Sequence, residues 1–201
     1  VAAKRAMLGV ISPFIASACQ LSSTIIRIDG ASAATLHCGF ASGYLTMPPP
    51  AVRALSALPC AAGKTDGSHL EEVIFPSNNP NGVGLSPDGK RLYAAETYTC
   101  RLMAFNIIAP GKVDDAAGPG GPGIPLYRPA GYKFFDSLAM EASGNICVAT
   151  IGECGISVIS PEGELVEFVA TDDIFTTNIC FGGEDMMDAW ICLSGTGRLA
   201  K

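Results

Sequence analysis

Charge is scarce in this sequence. Only 16% of its 201 residues are Asp, Glu, Lys or Arg, against about 25% in an ordinary globular chain. That excludes a long disordered tail, a coiled coil and a heptad-built bundle. The charge present leans acidic, with a net value of −6 and a pI near 4.8. No basic stripe exists to neutralise phosphates, so no nucleic-acid partner is expected. No apolar run reaches the roughly 18–20 residues that a membrane-spanning helix needs. Histidine is limited to His37 and His69, and no G-x-S-x-G elbow accompanies them, which argues against a Ser–His triad. The phosphate-cradling patterns G-x-G-x-x-G and G-K-[ST] are missing as well. Eight cysteines are present but none forms a C-x-x-C pair, so zinc-knuckle and dithiol redox readings fail. Cys147, Cys180 and Cys192 lie in the apolar runs NICVAT, NICFGG and WICLSG. They are expected to be small buried hydrophobes rather than disulfide partners.

What the chain has in plenty is punctuation. Its 23 glycines and 14 prolines make up about 18% of the residues, against roughly 12% on average. Frequent turning favours short strands over long helices. From residue 65 onward, short apolar segments alternate with turn signals: Val73–Phe75, Val83–Leu85, Arg91–Ala95 and Leu102–Ile107. Ser86-Pro87-Asp88-Gly89 has proline second and glycine fourth, the type I preference. The pattern predicts an antiparallel all-β architecture.

An internal repeat sharpens this reading. The segment Asn81-Gly-Val-Gly-Leu-Ser-Pro-Asp-Gly89 aligns with Asp136-Ser-Leu-Ala-Met-Glu-Ala-Ser-Gly144, and a looser copy begins at Thr177. In the first two copies a polar residue precedes an apolar strand, a glycine turn follows, and second and third strands come after it. Three to four strands per unit of about 40–55 residues is the pattern of propeller blades. The Gly/Pro-rich segment Pro110–Pro129 is expected to be a long loop inserted between blades.

In a propeller the residue just before each innermost strand recurs around the central channel. Asn81 and Asp136 hold that position. An amide oxygen and a carboxylate converging on one axis are hard ligands, suited to calcium or magnesium and tolerable for zinc. Both residue types also occur there as strand-start turn residues bonded to nearby backbone. Thr177 and Asn178 precede an inner strand and are candidates to line the channel. Glu96 is a candidate for a substrate hydroxyl contact, with a structural role as the alternative. Trp190 and Phe181 are expected to pack blade against blade, and Asp172-Asp173 and Glu184-Asp185 to be solvated turns.

The stretches NPNGVGLSPDGKRLYAAETYTCRL (79–102), FDSLAMEASGNICVATIGECGISVISPEGELVEFV (135–169) and TTNICFGGEDMMDAWICLSGTGRL (176–199) resemble the regucalcin/gluconolactonase family of lactonases. The resemblance covers residues 65–201, with a weaker one at Ile25–Leu36. It implies a six-bladed propeller, of which about four blades are readable here as the C-terminal portion. It also implies one divalent metal, calcium first, with zinc, magnesium or manganese as alternatives. The family's P-N-G asparagine and F-D-x-x-A aspartate fall on Asn81 and Asp136. Its early glutamate and P-N-D asparagine have no counterpart. The implied activity is metal-dependent hydrolysis of a sugar lactone or related small ester, with Asp136 as the catalytic residue. The alternatives are a non-catalytic calcium-binding or interaction propeller and an inactive fragment. A monomer acting on a small-molecule lactone in the cytoplasm is expected.

Two segments stand outside the repeat. Residues 1–24 carry Lys4 and Arg5 ahead of an apolar stretch and small residues around Cys19, the layout of an export signal, which offers a periplasmic or secreted location as the alternative. A buried strand pair would read the same way. Residues 25–64 combine the weak blade with an Ala/Pro-rich stretch holding Pro48-Pro49-Pro50, which imposes extended backbone.

Overall fold

The computed structural model describes residues 23–26, 35–39, 60–63, 70–114, 117–118 and 121–201, with side chains for 72–114 and 121–201. All of the signal-like segment before Ser23 and most of the Ala/Pro-rich stretch lie outside these residues, as does His69. Among the described residues there is no helix, and hence none long and apolar enough to cross a membrane.

The strands form successive antiparallel sheets. The first contains β1 (Ser23–Ile26), β2 (Thr35–Gly39), β3 (Cys60–Gly63) and β4 (Leu70–Ile74), paired in that order. The second runs outward from β5 (Pro80–Leu85) through β6 (Arg91–Glu96) and β7 (Arg101–Ala109), to which the short β8 (Lys112–Val113) adds at one point. A small ribbon follows, β9 (Ala117–Gly118) with β10 (Gly121–Pro122), before β11 (Ile124–Tyr127) returns to pair with β7. The third sheet is β12 (Phe134–Met140), β13 (Ile146–Ile151), β14 (Gly155–Ile159) and β15 (Leu165–Ala170). The fourth is β16 (Thr176–Gly182), β17 (Asp188–Leu193) and β18 (Arg198–Ala200).

Alternation along the strands explains why the sheets stack. In β6, Leu92 and Ala94 enter a core shared with Ile74 of the first sheet, while Tyr93 and Ala95 enter a core shared with Phe135, Leu138, Ile146 and Val148 of the third. In β13, Ile146 and Val148 face the second sheet, whereas Cys147 and Ala149 face Ile179 of the fourth. Strands of period two with both faces apolar can only be satisfied between two neighbours. Burying each large aliphatic or aromatic side chain contributes about 1.5–3 kcal/mol, so the cores between sheets dominate the stabilisation.

The predicted turns form. Gly89 N–H donates to the Ser86 carbonyl at 2.8 Å and Gly144 N–H to that of Glu141 at 3.0 Å. Both glycines have positive φ, +70° and +98°.

Three expectations are corrected. The segment Pro110–Pro129 is not loop throughout: Ile124–Tyr127 supplies the outer strand of the second sheet. There Tyr127 stacks on Phe135 with ring centroids 6.2 Å apart. Glycine and proline on either side concealed the strand. Cys180 is exposed, not buried, and Trp190 is 42% exposed rather than packed between blades. These two are cross-strand partners. Because Ile179, Phe181, Ala189 and Ile191 all turn inward, strand alternation sends Cys180 and Trp190 to the opposite face. There the Lys201 ammonium lies 5.6 Å from the Trp190 ring. Cys147 is buried as expected, and desolvation followed by the Glu141 charge pushes its thiol up to about 12. The five cysteines whose side chains are described, Cys100, Cys147, Cys154, Cys180 and Cys192, are free thiols.

Candidate functional site

Each of the three fully described inner strands is irregular at the same point. In β5, Pro80 pairs with Glu96 and Val83 with Ala94, so an extra residue is accommodated at Asn81–Gly82. In β12, Phe135 pairs with Thr150 and Leu138 with Val148, which places the irregularity at Asp136–Ser137. In β16, Thr176 pairs with Leu193 and Asn178 with Cys192, leaving Thr177 as the extra residue. A bulge swings side chains out of the regular alternation and unpairs local backbone, and it recurs beside active sites. Three bulges in register across neighbouring sheets therefore present Asn81, Asp136 and the Thr177-Asn178 pair at one end of the stack.

Gly82 sets how closely the first two approach. A Cβ on this residue would lie 2.6 Å from Leu138 N, 2.7 Å from the Asp136 carbonyl oxygen and 2.8 Å from Ser137 C. No side chain fits there, so the backbone beside Asn81 rests directly on the backbone that carries Asp136. The P-N-G glycine is thus a contact residue between sheets.

Asn81 and Asp136 are both buried, each 7% exposed. Asn81 Nδ2 donates to Thr97 Oγ1 at 3.4 Å, which turns the amide oxygen away from Thr97. Two residues earlier, Asn79 adopts φ +53°, and its buried Oδ1 has no hydrogen-bond partner. An acceptor left in that state costs about 1–3 kcal/mol. Thr177 and Asn178 are half-buried, and the Thr177 and Ser194 hydroxyls share a hydrogen bond at 2.6 Å.

Glu96 belongs to a clamp. Its Oε2 accepts from Arg101 Nη2 at 2.7 Å, Arg101 Nε at 2.9 Å and Thr99 Oγ1 at 2.6 Å. Its Oε1 accepts from the Asn78 N–H at 2.8 Å and Ser77 Oγ at 3.4 Å. These bonds tie the segment leading into Asn81 to the turn after β6, the structural alternative named from the sequence.

Asp173 is a residue that sequence reasoning missed. Expected in a solvated turn, it is 2% exposed and accepts from Thr196 Oγ1 at 2.6 Å, Thr196 N–H at 2.8 Å, Phe175 N–H at 2.8 Å and Gly195 N–H at 3.1 Å. Its neighbour Asp172 is the exposed one, paired with Arg198. Asp173 thereby fastens the segment preceding Thr176–Asn178 to the β17–β18 turn. The only clue in the sequence is the G-T pair at 195–196, whose N–H groups point at one acceptor.

The Thr196 hydroxyl first, then the backbone N–H groups, hold the Asp173 carboxyl below the ordinary aspartate value of 3.8. A carboxyl depressed on folding adds stability above its unfolded pKa and loses it as pH falls through the folded one. Asp173→Ala is therefore expected to melt at a lower temperature than the parent at pH 7. The gap should close as the pH is lowered below about 4. Thermal unfolding of both proteins from pH 7 to pH 3 checks this; a gap that stays constant would refute it.

The donor set suits a hard divalent cation. Among the described residues no three His, Cys, Asp or Glu side chains cluster; the three bulges carry one carboxylate, Asp136, with amide and hydroxyl oxygens. Such neutral-oxygen-rich sets fit calcium better than zinc, which prefers nitrogen and sulfur.

Antiparallel sheets stacked face to face, with bulged inner strands aligned at one end, define an all-β protein of the propeller type. The SMP-30/gluconolactonase/LRE-like region pattern matches residues 53–195, and the chain belongs to that family. Lactonase drp35 of Staphylococcus saprophyticus is 31% identical over 98 residues, covering 49% of this chain and 29% of that protein. The calcium-binding protein regucalcin from Agrobacterium tumefaciens superposes with a TM-score of 0.57 at 21% identity, over 67% of this chain and 43% of its own. A gluconolactonase from Xanthomonas campestris gives 0.59 at 18% identity, over 83% and 52%. The two structural likenesses speak to fold. The chain spans about half or less of the length of these relatives.

Proposed function

We propose that this chain hydrolyses a lactone or related small ester with the help of a divalent cation. The observation that carries the reading is the alignment of Asn81, Asp136 and Thr177-Asn178 on three matching bulges, in a chain whose family includes lactonases. Asn81 and Asp136 would hold the cation, calcium in the first instance, which supplies Lewis-acid polarisation of the ester carbonyl. Asp136 also orients the attacking water and accepts its proton on a carboxylate oxygen. Water adds to the carbonyl carbon, the ring C–O bond breaks, and the departing alkoxide takes up a proton. Asn178 offers an amide to a substrate oxygen, next to Thr177, whose hydroxyl is shared with Ser194. Glu96, occupied by Arg101, Thr99, Ser77 and Asn78, keeps the Asn81 segment in place and touches no substrate.

Acid release from glucono-δ-lactone, followed by pH-stat above the spontaneous rate, tests the proposal. Hydrolysis is expected with calcium, to fall at least about 100-fold on chelation, and to return when calcium is added back. Turnover unaffected by chelation would overturn the metal-dependent mechanism. Calcium binding with no turnover of this lactone or of an apolar-substituted one would overturn the hydrolytic assignment.

A further inference from the structure

The end of the stack that carries Asn81, Asp136 and Thr177 is also where large apolar side chains stand in solvent. Phe75 is 59% exposed, Tyr98 56%, Tyr132 74%, Ile174 55% and Phe175 50%. Phe75 lies in the segment entering β5, Tyr98 in the β6–β7 turn, Tyr132 in the segment entering β12, and Ile174 and Phe175 in the segment entering β16. Backbone bonds at this end tie the segment entering β5 to the β6–β7 turn, and the segment entering β16 to the β13–β14 and β17–β18 turns. Thr97 N–H donates to the Asn79 carbonyl, Gly152 N–H to Ile174, and Ser194 N–H to Phe175. Tyr132 meets Phe134, two residues before Asp136, edge to face at 5.5 Å.

Neighbouring polar groups are engaged inside the fold. Lys133 pairs with Glu153, Arg198 with Asp172, and Thr177 shares its hydroxyl hydrogen bond with Ser194. At the opposite end two of the turns, Ser86–Lys90 and Glu141–Asn145, are polar, with Asp88 and Glu141 bonded within their own turns, while the third exposes Met187. A polyhydroxylated substrate needs unengaged donors and acceptors, because a polar group desolvated without a partner is penalised. An apolar or aromatic substituent needs exposed rings, and clustered exposed apolar side chains beside a site mark where such a group is held.

We infer that the substrate of this site carries an apolar or aromatic substituent next to the scissile ester, and that Phe75, Tyr98, Tyr132, Ile174 and Phe175 are the surface that receives it. The inference rests on the hydrolytic reading above and adds the substrate class. The substituent lies against the ring faces while the ester carbonyl reaches the bulged strands. Polyhydroxylated lactones do not make this contact.

The test compares kcat/KM for γ-phenyl-γ-butyrolactone and glucono-δ-lactone on the full chain with calcium. At least a tenfold preference for the phenyl lactone is expected. Tyr132→Ala and Phe175→Ser should each reduce that preference by about 3- to 10-fold, the scale of one aromatic contact. Ile108→Thr, exposed at the far end, should leave it unchanged. A preference for the sugar lactone, or one that both rim variants leave intact, overturns the inference while the hydrolytic reading stands. If neither lactone is turned over, the hydrolytic reading fails. Saturation-transfer NMR with the phenyl lactone then decides the rim separately. Transfer lost in Tyr132→Ala upholds it, and no transfer to the parent chain overturns it, as does transfer that Tyr132→Ala leaves intact.

Discussion

Gly82→Ala is expected to destabilise the fold by about 3 kcal/mol, at the upper end of what overpacking costs. The added Cβ would stand 2.6–2.8 Å from backbone atoms of Asp136, Ser137 and Leu138, and backbone inside a paired strand has nowhere to go. Either β5 separates from β12 or the bulges flatten, and both outcomes pull Asn81 away from Asp136. For a chain of this size the melting temperature should fall by about 6–12 °C, with lactone hydrolysis lost along with calcium binding. Gly84→Ala provides the contrast. There the new Cβ would meet Leu138 Cδ1 at 2.6 Å and the Met140 side chain at 3.1–3.3 Å. Those groups end flexible side chains that can rotate, so the drop should be less than half as large. Thermal unfolding of both variants decides the matter; equal losses would mean that Gly82 matters only as a flexible strand residue and not as a contact between sheets.

Asp136→Asn probes chemistry and leaves packing in place. The amide matches the carboxylate in size and keeps an oxygen at the bulge, so the variant should fold. In the proposed mechanism it removes the one charge that the Asn81–Asp136 pair would present to a cation and the group that would accept the proton of water. Hydrolysis is expected to fall by at least about 100-fold, the lower range for losing a catalytic acid–base group. Calcium at a hundred times its dissociation constant should stabilise the parent by about 2.7 kcal/mol, which raises its melting temperature by roughly 5–11 °C. The variant should show little of that rise. A calcium-induced rise that survives in Asp136→Asn would place the cation elsewhere. Hydrolysis that survives would remove Asp136 from the mechanism.

Much of this was legible in the residues, because period and punctuation are local properties. Strand alternation, the glycine turns at Gly89 and Gly144, and the recurrence of a polar residue ahead of an apolar strand were enough for an all-β propeller and for the candidates Asn81 and Asp136. The errors share a cause. Cys180 and Trp190 are apolar residues in apolar runs, yet the side of a strand that is covered depends on which sheet lies beyond it. Ile124–Tyr127 reads as loop because its glycine and proline neighbours mask a short strand that β7 recruits at its free edge. Asp172 and Asp173 look identical in sequence, and only the turn at Gly195-Thr196, more than twenty residues away, makes one a buried anchor and leaves the other in solvent.

The sequence by itself determined the class of fold and the residue types at the site, since strand period, turn chemistry and hard-oxygen donors are written residue by residue. The tertiary structure alone decided the rest: the three bulges in register, the backbone contact at Gly82, the Glu96 and Asp173 clamps, and the apolar side chains left exposed at the same end. Each of those depends on which strand lies beside which, and strand neighbourhood is set by the packing of whole sheets rather than by any local run of residues.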